Sequence, residues 1–183
     1  MRIFVALDLP EPVLDELEVM QADLSVGREV PRENLHLTLC FLGDQSDDAA
    51  EAAHLALSRI RGDALDLQLS GIGTFGKRTP HVIYAALAKN PLLSDLQRRV
   101  TSALRGTGVD FPRQRFRPHV TLARLPAALP PIDAQRLEAF IASHVGYRGE
   151  VFRVTEFGLY RSVLTRRTAI HERLAGYSLG LEE

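Results

Sequence analysis

Residues 34–42 read NLHLTLCFL, and residues 118–124 read PHVTLAR. Both alternate apolar and polar residues, the period of a β-strand with one face in a core. On the first strand His36, Thr38 and Cys40 share one face, and Leu35, Leu37, Leu39 and Phe41 share the other. On the second, His119 and Thr121 lie opposite Val120 and Leu122. Each strand therefore offers an imidazole beside a hydroxyl, backed by apolar packing. One such pair alone reads as a half-exposed polar face. Two copies at equivalent places in one framework point to function.

The flanking sequence supplies that framework. Arg2 to Leu9 reads as a strand. Glu11 to Leu24 reads as a helix, with Val13, Leu14, Leu17, Met20 and Leu24 at helical spacing and Gly27 beyond it. After the first motif, Ser46-Asp47-Asp48 offers caps for a helix running to about Arg61, and Leu65 to Ile72 reads as a third strand. The order then restarts. His81 to Ala88 is a strand, and Asn90-Pro91 opens a helix bearing Leu93, Leu96, Val100 and Leu104. The second motif follows, then a helix capped by Asp133, then a strand from Val151 to Tyr160. Ala6-Leu7 aligns with Ala86-Leu87, Leu14 and Leu17 with Leu93 and Leu96, and His36 with His119. This is an internal duplication of a β-α-β-α-β unit. The expected fold is α/β (α+β): a single domain of two pseudo-twofold lobes, roughly 1–75 and 80–160, with antiparallel-type sheets lining a central cleft. A closing strand is expected within 161–183.

The chain has 183 residues, 45% hydrophobic and 25% charged, which suits one globular domain with a real core. Cys40, in an apolar run, reads as a small core residue; as the one cysteine it excludes an intramolecular disulfide and a cysteine-based zinc site and fits a cytoplasmic setting. The apolar N-terminal stretch is short and interrupted by Asp8, so neither a signal peptide nor a membrane span is expected. The net charge of -1 argues against coating of long nucleic acid and leaves a local contact, at an end or a single nucleotide. Nothing in the sequence demands more than a monomer.

Two imidazoles and two hydroxyls facing one cleft suit phosphoryl chemistry without a metal or cofactor. Imidazole titrates near ~6.5, so one ring can take a proton from water while the other protonates a leaving oxygen. Hydroxyls can donate to the phosphate oxygens. Two histidines with no third ligand make a poor metal site.

On these motifs the sequence resembles the 2H phosphoesterase superfamily. Within it, it is most similar to the bacterial and archaeal RNA 2',3'-cyclic phosphodiesterases, also called 2'-5' RNA ligases. The matching pieces are RIFVALDLP, NLHLTLCFLG, GIGTFGKRTPHVIYAAL, FRPHVTLAR and FGLYRSVL, spread over nearly the whole chain. The resemblance implies hydrolysis of a 2',3'-cyclic phosphate at an RNA 3' end to a 2'-phosphate, with His36 as proton donor, His119 as proton acceptor, and Thr38 and Thr121 on the phosphate. A minor reverse joining of RNA ends is also implied. The residues alone leave donor and acceptor interchangeable. They also leave open another small cyclic or 2'-5' linked nucleotide as substrate, and a non-catalytic module that binds RNA ends. The sequence departs from the family after Arg161-Ser162-Val163-Leu164: where a Gly and a Tyr are usual, Thr168-Ala169-Ile170-His171 stands.

Arg124 is a substrate-binding candidate because the family motif includes it, although strict alternation turns it away from His119. Phe41 is a stacking candidate that alternation assigns to the core. Arg113, Arg115, Arg117, Arg161, Arg166 and Arg167 are weaker candidates for the RNA backbone. Gly71 to Gly76 matches G-x-G-x-x-G but lacks the helix a dinucleotide site requires, and reads as a loop. His54, His81, His144 and His171 are assigned no chemistry.

Overall fold

Proline and short polar caps set where the helices begin. Asn90 accepts from the Leu93 amide at 2.9 Å, and Ser46 accepts from the Ala49 amide at 3.2 Å. In the computed structural model, which describes residues 1–76, 78–166 and 168–180, the elements follow in chain order. They are β1 Arg2–Asp8, α1 Glu11–Ala22, β2 Arg28–Glu29, a 3-10 turn Arg32–Asn34, β3 His36–Asp44, α2 Asp47–Leu57 and β4 Leu65–Phe75. Then come β5 Val82–Leu87, α3 Pro91–Gly106, β6 His119–Arg124, α4 Pro131–His144, β7 Arg148–Val154, β8 Glu156–Leu164 and β9 Ala169–Ser178. The helix assigned to an Asp133 cap has its cap three residues earlier, at Pro130, with Pro131 in its first turn.

The strands hydrogen-bond in the order β7-β4-β5-β6-β3-β1-β8-β9, with β2 added beside β6. Every pairing is antiparallel, in keeping with the expected fold class. Across the β3–β6 seam the inner six strands match in pairs, β6 with β3, β5 with β1 and β4 with β8, as a duplication about a pseudo-twofold requires.

The halves of the chain and the halves of the sheet do not coincide, however. β4 pairs with β5, and β8 pairs with β1. Each repeat unit thus gives its third strand to the other's sheet, so the boundaries 1–75 and 80–160 mark the sequence repeat and not two spatial lobes. The physical reason is proximity along the chain: β4 and β5 are joined by a short turn through Gly76, and consecutive antiparallel strands pair. The strand expected over Val151 to Tyr160 is two strands, because its halves have different partners. It breaks at Thr155, where the chain leaves β4 as partner and joins β1. Gly71 to Phe75 belongs to β4 and is strand, not loop.

Helices cross over as well. α1 packs on β6 and β7, α4 on β4, and α3 on β3 and α2. Between helices and sheet lies the main core, which includes Ile3, Val5, Leu7, Leu17, Leu37, Leu93, Val100, Val120 and Phe157. On the other face of β1 a small cluster of Phe4, Ala6 and Tyr160 lines the cleft side. Gln21 of α1 is buried, and its amide nitrogen donates to Val30 O at 2.8 Å and Leu122 O at 2.9 Å, tying the helix to the seam.

Candidate active site

The seam sets the geometry. β3 and β6 meet at the pair Leu37–Val120, both fully buried. Extending that antiparallel register one residue each way sets His36 across from Thr121, and Thr38 across from His119. The four polar side chains therefore alternate, imidazole and hydroxyl, around one point on the cleft face. All four line the same cavity, about 470 Å³, which continues into a second compartment of about 540 Å³ past Thr38, His119 and Thr121.

A matched irregularity follows each motif. On β6 the register with β5 skips Leu122, and on β3 the register with β1 skips Leu39. Each is a β-bulge, and a bulge reverses the alternation beyond it. After the bulges Ala123 and Cys40 are buried, and Arg124 and Phe41 turn outward to line both compartments. Arg124 thus reaches the cleft in spite of its parity. Phe41, assigned to the core by alternation, is 51% exposed, and Cys40, on the polar face by alternation but read as a small core residue from its apolar run, is in the core.

Both imidazoles are held the same way. His36 Nδ1 donates to Asn34 O at 2.7 Å, and His119 Nδ1 donates to Arg117 O at 2.6 Å. A carbonyl can only accept, so the proton of each neutral ring sits on Nδ1 and Nε2 carries the lone pair. Their surroundings differ. His36 lies against the face of Phe4, centroids 5.0 Å apart, and Phe4 stacks in turn on Tyr160. His119 meets Phe75 and Tyr84 edge-on at 4.8 and 5.4 Å, and those two rings stack on each other at 4.3 Å. Gly73 makes this possible, since a Cβ there would lie 2.4 Å from the Tyr84 ring. Burial, with positive charge on His171, His119 and Arg124, pushes His36 down to about 4, against the opposing pull of the Asn34 carbonyl. Burial lowers His119 as well.

The cleft is basic although the chain is not. Arg2, Arg28, Arg124 and Arg166 line the first compartment with Glu29 as a carboxylate among them, and Arg105, Arg115 and Arg117 line the second with Phe75, Phe111 and Phe116. Of the arginines singled out in the sequence, Arg161 is paired with Glu172, and Arg167 lies outside the described residues. Arg2, Arg28 and Arg105 escape a reading by motif because each is brought in from a separate element. His171, assigned no chemistry, stands in the cleft against His36, with centroids 5.1 Å apart. Its place on the last strand, opposite β8, gave no pattern to read. Among the described residues no three His, Cys, Asp or Glu side chains gather as a metal site, and no helix is long and apolar enough to cross a membrane.

Known proteins resemble this chain in sequence and in fold. The chain is 31% identical over 183 residues to the RNA 2',3'-cyclic phosphodiesterase of Geobacillus stearothermophilus, covering 96% of this chain and 56% of that longer protein. It is 30% identical over 182 residues to the RNA 2',3'-cyclic phosphodiesterase of Escherichia coli K12, covering 97% and 96% of the two. The crystal structure of E. coli LigT complexed with 3'-AMP superposes with a TM-score of 0.79 at 28% identity, over 98% of each chain. The 2'-5' RNA ligase superfamily matches residues 9–166, and with the E. coli relative covered almost end to end, the chain belongs to that superfamily.

Proposed function

We propose that the protein opens the 2',3'-cyclic phosphate at an RNA 3' end, leaving a 2'-phosphate and a free 3'-hydroxyl. The observation that carries this reading is the seam, where two imidazoles whose Nδ1 is tied to a carbonyl, leaving the lone pair on Nε2, alternate with two hydroxyls in one basic cleft. Water attacks phosphorus and gives its proton to His119 Nε2. The bond from phosphorus to the 3'-oxygen breaks on the far side, and that oxygen takes a proton from His36 Nε2. Thr38, Thr121 and Arg124 donate to the non-bridging oxygens, where charge builds up. Phe41 stacks on a base.

The donor role of His36 follows the family resemblance. In the free protein its lowered proton affinity opposes that role. A bound phosphate anion restores it, because an opposite charge at close range favours the imidazolium. His119, lowered by burial, is neutral at neutral pH and ready to accept. The same in-line step with a 5'-hydroxyl in place of water joins two RNAs through a 2'-5' bond.

The test is a product assay on a short RNA bearing a 2',3'-cyclic phosphate in excess EDTA. A 2'-phosphate product is expected. A 3'-phosphate product, activity lost to the chelator and restored by one metal, or tight binding without product overturns the reading.

A further inference from the structure

The acid–base scheme leaves one imidazole of the cleft unused. His171 of β9 packs edge-on against His36 at 74°, and Phe4 touches both rings, His171 at 4.9 Å. The backbone fixes this contact from two sides. His171 sits across from Ser162 in the β8–β9 hairpin. Asn34, 7% exposed, donates through Nδ2 to Ala169 O at 2.7 Å while its own carbonyl accepts from His36 Nδ1. One buried asparagine therefore anchors both the strand carrying His171 and the ring of His36. His171 Nδ1 is buried and has no hydrogen-bond partner among the described residues, so no acceptor stabilises a charge there.

We propose that His171 is a positioning residue for the chemistry proposed above, on which this inference rests: it keeps a second positive charge off this side of the cleft and holds His36 neutral until an anionic phosphate arrives. Two imidazoles in contact titrate as a pair, and the second proton is repelled by the first. Burial lowers His171, and after burial the repulsion that a proton on His171 exerts is the largest influence lowering His36, so the two rings resist being charged together. Other charged groups bound the pair. β6 contributes His119 and Arg124, β1 contributes Arg2, β2 contributes Arg28 and Glu29, and Arg166 precedes β9. Asp8, across from His36 on β1, is engaged by Tyr160 and Arg173, and Glu172 beside His171 is engaged by Arg161. His171 is the titratable ring in contact with His36.

The test follows the imidazole Cε1 resonances by NMR through a pH titration of wild type, His171→Phe and His171→Tyr. Neither replacement carries a positive charge, and both fill the ring's space. The His36 midpoint is expected to rise by on the order of one pH unit in both, with the His119 midpoint moving less. At a fixed pH above that midpoint, kcat/KM on the cyclic-phosphate RNA rises with the protonated fraction of His36. A His36 midpoint that stays or falls in the folded variants overturns the proposal. A wild-type protein without turnover, or a fully active His36→Ala, defeats the underlying reading instead and leaves the titration result to be judged alone.

Discussion

β3 and β6 carry the same four-residue pattern, the same i−2 carbonyl on the histidine Nδ1, and the same bulge after the threonine. They differ in what surrounds the pattern. The bulge delivers an apolar ring, Phe41, from one strand and a guanidinium, Arg124, from the other. The first imidazole lies against an aromatic face with a further imidazole at its edge, and the second meets two aromatic edges. Duplication thus builds a symmetric array of acceptors and donors, which by itself cannot assign an acid and a base. Residues outside the motifs break that symmetry, by burial, ring contact and charge.

Removing the shared elements gives the largest effect. His36→Ala and His119→Ala should each lower kcat by about 10²–10⁴-fold, the worth of one general acid or base, with an unchanged circular-dichroism spectrum. A variant that keeps near wild-type turnover would show that the two strands are not partners in one step. The unshared residues come next. Arg124→Ala forfeits charge-assisted hydrogen bonds to phosphate, about 1.5–3 kcal/mol, and should lower kcat/KM by roughly 10- to 100-fold. Phe41→Ala should raise KM by the loss of a stacked base, about 1 kcal/mol at the lower end, and leave kcat nearly intact. Steady-state kinetics on one RNA substrate separates the two. Equal effects on kcat from both substitutions would mean that Phe41 and Arg124 do not divide recognition as the bulges suggest.

The repeat of elements and the two motif strands were legible because period-2 alternation and helical spacing are local. What alternation misread lies beyond the bulges, at Cys40, Phe41 and Arg124. A bulge is set by pairing with a neighbouring strand, β1 or β5, and leaves no mark in the strand's own residues. The exchange of β4 and β8 between the sheets was hidden for a related reason. Element order does not state which strand a third strand will join. His171 was invisible because it enters the cleft through that exchange, on the partner of β8.

The smallest effect tests the difference between the two histidines through stability. His36 is pushed down to about 4, and His119 is lowered by burial with a carbonyl pulling the other way. An imidazole with a depressed folded-state value binds its proton more readily in the unfolded chain, where it titrates near ~6.5. Its contribution to stability is therefore full above pH ~6.5 and is lost as pH falls toward the folded value. Urea midpoints of the wild type should decline from pH 6.5 to pH 4. His36→Gln should flatten that decline more than His119→Gln, because its shift is the deeper one. Carboxylates begin to titrate at the lower end of this window, but they are common to all three proteins, so the differences between the curves isolate the imidazoles. Parallel curves for the two variants would mean that the asymmetry around His36 does not reach its proton.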